Sequence, residues 1–405
     1  MKKLSILMMK WHLLFISVLG ITVIGCSSDD DDGAGINPPP MFTGNSEDYS
    51  LFSKSDPGIS GTATFAERDD GVTVITIELN GTPAGGDHPS HIHGNTAVEG
   101  GGIIIDLTNV DGSTGMSVTE VSSETYNNLI NFDGYINVHL SPNDLGTLIA
   151  QGDIGQNELT GVAEEYPINA KTDPNIFGTA TFSERANGET LVVVALEGTD
   201  AAGDHPMHIH ANTAAEGGGI LVSLTNVNGE TGVSATNVAA LNDDTAITYD
   251  DLIDFNGYIN VHLSSDDLGT LIGQGDIGQN ALTENFETYS LNSQSDPGIS
   301  GLATFAQREN GTTLITVQLD GTSEGGDHPT HIHENDAATG GGILISLSNV
   351  NGATGIGATS VTMLNDGTAI TYDELIIFNG YINVHLSDMD LGTLIAQGDI
   401  GSNAD

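Results

Sequence analysis

The 405-residue chain carries 55 acidic against 8 basic residues, a formal charge of −47, with 13 histidines and a single cysteine. That balance excludes nucleic acid as a partner, because no basic footprint is available to neutralise phosphates. One cysteine excludes an intramolecular disulfide, so the fold must rest on burial alone.

Residues 1–25 read as a leader. Met1-Lys2-Lys3 and Lys10 supply positive charge, and Leu13 to Ile24 form an apolar run of signal-peptide length, too short to span a bilayer. The run ends in Val23-Ile24-Gly25-Cys26, which resembles a bacterial lipobox; the resemblance implies cleavage before Cys26 and lipid on its sulfur. The following Ser27-Ser28-Asp29-Asp30-Asp31-Asp32 resembles the tag that sends some gram-negative lipoproteins to the outer face of the outer membrane. Asn37-Pro38-Pro39-Pro40 then favours polyproline II, so residues 26–48 are expected to form an acidic, proline-rich stalk. Loss of the leader leaves Lys54, Arg68, Lys171, Arg185 and Arg308 as the bases of the mature chain. Anionic lipid would repel such a body, and the acyl chains are expected to do the anchoring.

Beyond the stalk the chain repeats itself. Tyr49, Tyr166 and Tyr289 open equivalent segments at intervals of 117 and 123 residues. These periods are domain-sized, which divides the chain into residues 49–160, 161–283 and 284–405. Repeat one is six residues shorter between Thr114 and Phe132 than its counterparts. Within each copy the dominant period is two: Ile75, Ile77 and Leu79 share one face of a strand, as do Ile315, Val317 and Leu319. Ile103, Ile105 and Leu107, with Ile220, Val222 and Leu224, are likewise expected to face inward. Asn109-Val110-Asp111-Gly112 and its copies read as type I′ hairpin turns. The same turns offer oxygen atoms for calcium, although no spacing matches an EF-hand loop. Asp144 and Asp153, with their copies, read as turn residues flanking the last strand. Thr371-Tyr372-Asp373-Glu374 has capping-box form and predicts one short helix. The expected fold is all-β: three tandem Greek-key β-sandwich or barrel domains of about seven strands, each with one short helix.

Gly61-Thr62-Ala63-Thr64-Phe65, His91-Ile92-His93 and Tyr135-Ile136-Asn137-Val138-His139 resemble the CHRD (chordin-type) domain, and the likeness runs through nearly the whole of each repeat. It implies an all-β extracellular module and supplies no activity. The chain departs from the family at Ile149, where the closing strand usually carries arginine.

The histidines are confined. Outside the leader's His12, all twelve fall at equivalent places: His88, His91, His93 and His139; His205, His208, His210 and His262; His328, His331, His333 and His385. Alternation puts both imidazoles of His91-Ile92-His93 on the face opposite Ile92, and His139 on the face opposite Ile136, Val138 and Leu140. Three imidazoles from neighbouring strands would suit a His₃ site. His88 stands as a fourth ligand or gate, and Asp87, Asp204 and Asp327 as acceptors orienting an imidazole. Imidazole-only ligation suits copper or zinc. The competing reading is that the imidazoles bond to loops and hold the segment Glu99 to Gly102 in place.

No catalytic residue is assigned. The function expected is binding: a cell-surface metal-binding or adhesive module whose partners are the outer membrane, metal ions and extracellular protein or glycan. The alternative is a copper-dependent redox enzyme, since an HxH strand with a later histidine is similar in part to copper–zinc superoxide dismutase. That family's disulfide cannot form here, and no second histidine-rich zinc loop is found.

Overall fold

The computed structural model describes residues 39–404; the leader, Cys26 and residues 27–38 lie outside the described residues. The first repeat contains β1 (Phe42–Ser53), β2 (Ser60–Arg68), β3 (Thr73–Asn80), β4 (Asp87–Gly94), β5 (Ile103–Asp111), β6 (Met116–Val121), the helix α1 (Tyr126–Ile130), β7 (Asp133–Ser141) and β8 (Asp144–Gly155). They close into an antiparallel barrel in the order β1-β2-β3-β6-β5-β4-β7-β8, with β8 returning to β1 through Phe52↔Gln151 and Ser53↔Ala150. The β3–β4 and β6–β7 connections each pass over two strands, which is Greek-key wiring. Residues 159–278 and 282–401 build barrels 2 and 3 in the same order. The expected all-β class with three tandem domains and one short helix in each is what the chain forms. Because β1 starts at Phe42, residues 42–48 belong to a strand of the first barrel and not to the stalk.

Apolar alternation drives closure. Ile75, Ile77 and Leu79 point inward with Tyr49, Phe65, Ile92, Ile136, Val138 and Ile149. Tyr49 meets Phe65 edge-on, ring centres 5.1 Å apart, and the pair recurs in both other barrels. The predicted capping box is present: Thr371 Oγ1 accepts from the Glu374 amide while the Glu374 carboxylate accepts from the Thr371 amide. In barrel 1 the third helical position is Asn128, and no reciprocal bond forms.

Two expectations on β5 fail. Ile92 pairs with Ile105 and His93 with Ile103, so Ile104 is the extra residue of a bulge. The bulge breaks the alternation, and Ile103 and Ile220 face solvent, not the core. The turn after Asp111 is also not type I′. Residues 112–115 join β5 to β6, the Thr114 and Gly115 amides donate to the Asp111 carbonyl, and Gly115 takes the left-handed conformation.

The junctions between barrels hold the largest surprise. Arg185 and Arg308 are completely buried. Arg185 donates to Asp153 Oδ2 of barrel 1 at 2.8 Å, to the Asn157 carbonyl, and to Asn237 Oδ1 at 2.7 Å. Arg308 repeats the grip on Asp276 and the Asn280 carbonyl. Asp153 and Asp276, expected to be turn residues, are therefore the acceptors of inter-barrel ion pairs. Arg68 has no barrel before it among the described residues and is held within its own barrel by Asp70 and Glu120.

Candidate metal centre

The site grows from two adjacent strands. β4 and β7 run antiparallel with His91 opposite Asn137 and His93 opposite Tyr135, which places His139 diagonal to His91 on the same face. Period two therefore brings His91, His93 and His139 together, and their ligand nitrogens all lie within 4.8 Å of one another. His91 Nδ1 stands 3.2 Å from His139 Nε2. Nitrogens bound to one tetrahedral zinc at 2.0–2.1 Å lie about 3.4 Å apart, so that contact already has the right span. His208, His210 and His262 form the second group, with His208 Nδ1 again 3.2 Å from His262 Nε2. His331, His333 and His385 form the third.

Carbonyl groups set the tautomers. His93 Nδ1 lies 3.0 Å from the Gly101 carbonyl and His139 Nδ1 2.7 Å from that of Leu145. A carbonyl can only accept, so both rings carry their proton on Nδ1 and turn a bare Nε2 lone pair toward the group. The same bonds run from His210 to Gly218, His262 to Leu268, His333 to Gly341 and His385 to Leu391. Several inward-facing nitrogens are buried without a partner: His210 Nε2, His331 Nδ1 and His385 Nε2. Burying such atoms unpaired is costly, and one cation in each group would satisfy the unpaired nitrogens of that group.

Burial is the first cause holding His91 and His139 below the ordinary histidine pKa; each is also opposed by the charge of a neighbouring imidazole. The same holds at His208, His262, His331 and His385. Neutral imidazole is the ligating form. The face is the one expected, but it is not an open surface, since His93, His139, Tyr135 and Asn137 are all buried. His91 is the outermost, its side chain 13% exposed, with Nε2 3.7 Å from Asp106 Oδ1.

Four supporting residues escaped the sequence reading. Tyr135 stacks on His93, ring centres 4.8 Å apart at 16°. Its hydroxyl accepts from the Gly101 amide, while the Gly101 carbonyl takes the His93 proton. No side chain fits at Gly101, where a Cβ would sit 1.9 Å from the Gly94 carbonyl oxygen. Asn137 Nδ2 approaches His93 Nε2 at 3.5 Å, its amide oriented by Gln151 Nε2 at 2.8 Å. Asn137 and Tyr135 were visible as alternate residues of one strand. Gly101 and Gln151 reach the site through loop and register geometry that no local pattern announces.

Other expected members lie apart. His88 Nδ1 is 2.8 Å from the Leu140 carbonyl, and its ring is buried against Gly86, outside the group of three. His205 and His328 make the same bond to Leu263 and Leu386. Proline at position 89 and the register shift between His88 and Ser90 turn that side chain away from His91. Asp87, Asp204 and Asp327 orient no imidazole; each accepts instead from a side-chain amide, of Asn109, Asn226 and Asn349. At the turn considered for calcium, the Asp111 carboxylate accepts from the Ser113 and Thr114 amides. The loop-pinning reading is partly right, since His93 does bond Gly101, and that bond is also what frees its other nitrogen.

A CHRD domain is found at residues 156–274, a span that holds the whole second histidine group. No curated protein and no solved structure matches the chain.

Proposed function

We propose that the protein is a surface-displayed lipoprotein whose three CHRD-type barrels each bind one copper or zinc ion, through His91, His93 and His139 and their two sets of counterparts. One observation carries this reading: in every barrel, carbonyl-fixed tautomers aim imidazole lone pairs at a common point, and in barrels 2 and 3 His210 Nε2, His331 Nδ1 and His385 Nε2 are buried there unpaired. The matched segment covers barrel 2 alone; the shared strand order and histidine placement support extending the family to barrels 1 and 3. The role is binding. Asn137, Tyr135 and the histidines themselves surround the group; the Asp106 carboxylate beside His91 is replaced by Ser223 and Ser346 in the other barrels, so no separate acid, base or nucleophile recurs at all three. Display outside the cell would offer the metal, or the acidic barrel surface, to an extracellular protein or glycan.

Titration of the metal-free full chain with zinc and with copper, followed by calorimetry, tests the reading; it predicts three sites per chain at neutral pH. Superoxide turnover on the copper-loaded chain separates binding from catalysis, because rates well above those of free copper would favour an enzyme. Changing Cys26→Ala should release the chain from membranes, and retention there would contradict the lipoprotein assignment.

A further inference from the structure

We propose that the first barrel carries a docking edge for a partner's tight turn, one offering a leucine followed by an asparagine. Every barrel is closed, but the seam between β5 and β6 is its most sparsely paired. Asp111↔Met116 is the one backbone pair joining the two strands, and Asn228↔Val233 and Asn351↔Ile356 are the single counterparts in barrels 2 and 3. Barrels 2 and 3 cover the gap with the six additional residues that barrel 1 lacks. Val238 leads to Tyr249 and Val361 to Tyr372, whereas Val121 leads directly to Tyr126 in half the length.

The cover is specific in its chemistry. The Asn242 amide donates to the bulged Leu221 carbonyl at 2.8 Å, and Asn242 Oδ1 accepts from the Ser223 amide at 3.0 Å. Asn242 Nδ2 donates to Ser223 Oγ, and Leu241 packs on the core. Asn365 and Leu364 repeat every contact on Leu344 and Ser346.

In barrel 1 the receiving half remains without the donated half. Ile104 and Asp106 stand where Leu221 and Ser223 stand, and no described residue bonds the Ile104 carbonyl or the Asp106 amide as Asn242 does. Ile104 is 56% exposed. Ile105 is only partly buried, while its counterparts Val222 and Ile345 lie in the core. A cavity of ≈ 270 Å³, lined by Ile104, Ile105, Glu124, Asn128, Leu129 and Phe132, opens at the place the missing leucine would fill. Exposed backbone groups beside an apolar hole are what the turns of barrels 2 and 3 cover, and a partner's turn can cover them in the same way. Asp106 replaces serine at the position facing the asparagine amide, and a carboxylate is the stronger acceptor there. The occupant is thus defined by the chain's own two precedents: backbone pairing to Ile104, leucine into the cavity, asparagine onto Asp106.

The probe is a labelled synthetic peptide with the sequence of residues 238–248, titrated against the full chain. Saturable binding is expected, weakened at least about tenfold by Ile104→Glu in the protein, the loss that one buried aliphatic side chain accounts for. A peptide carrying Leu241→Ser should be weakened similarly, which guards against misfolding of the protein variant. Grafting the six additional residues into barrel 1 should abolish binding. Absence of saturable binding, or equal binding by the Leu241→Ser peptide, would overturn the proposal. So would protection of the Asp106 amide from exchange in the free chain: protection that rises with protein concentration would assign the edge to a second copy, and constant protection to a segment of the same chain.

Discussion

His88 and His91 sit three residues apart and have opposite fates, decided by what each Nδ1 meets. His88 finds the Leu140 carbonyl inside the barrel wall, whereas His91 Nδ1 finds another imidazole. Replacing His88 with alanine should cost the first barrel about 2–4 kcal/mol, from a lost buried bond plus a cavity, and leave the bound metal unchanged. Loss of metal from that variant would restore His88 as a ligand. A pH dependence follows from the depressed imidazoles. Their folded pKa values lie below the unfolded 6.5, so the unfolded chain binds more protons between the two. The stability they support is complete above pH 6.5 and is lost as pH falls through the lower folded values. Urea midpoints of the metal-free chain should therefore drop below pH 6.5, and a flat profile down to pH 5 would contradict the neutral-imidazole picture. The shared face of His91, His93 and His139 was legible because alternation is a local rule. The exclusion of His88 was not, because Leu140 lies far away in sequence and only strand pairing brings it near.

The Gly-rich segment after β4 works as a clamp on the site. Gly101 offers its carbonyl to His93 and its amide to Tyr135, and Tyr135 in turn stacks on His93. Tyr135→Phe keeps the stack and removes the acceptor, so it should cost about 1 kcal/mol. It should also weaken metal binding to barrel 1, within the roughly 10–100-fold range seen when outer partners of a ligand are lost. Unchanged affinity would mean that the loop is held by other contacts. The capping box at Thr371 and Glu374 and the inward set on β3 were both readable from sequence. The bulge at Ile104 was not: Ile103-Ile104-Ile105 is apolar throughout, and the extra residue is fixed by how β5 pairs with His93. The six-residue difference between repeats was plain in the sequence, but its consequence, an uncovered strand edge, required the paired strands to be seen together.

At the scale of the chain, two buried arginines tie each barrel to the one before it. Arg185 and Arg308 are fully enclosed, and their carboxylate partners belong to the preceding barrel. The sequence marks these arginines only as two of the few bases of the mature chain and no partner is legible there, because Asp153 and Asp276 come 32 residues earlier, across a domain boundary. Removing one member of such a pair strands the other's charge at a cost of about 3–5 kcal/mol, and the cost is greater when the fully enclosed arginine is left behind than when the carboxylate is, whose side chain keeps 11% exposure. Asp276→Asn should accordingly destabilise the barrel 2–barrel 3 unit more than Arg308→Met, measured as separate thermal transitions; the reverse order would show that the arginine contributes by packing alone. The same threefold repetition makes the metal account countable. Elemental analysis of the purified full chain, after incubation with zinc or copper at neutral pH and removal of free metal, measures it directly. The account predicts close to three equivalents per chain, one per histidine group, and essentially none in a variant with His91, His208 and His331 all changed to alanine. A wild-type chain that retains no metal, or a triple variant that retains as much as the wild type, would contradict it.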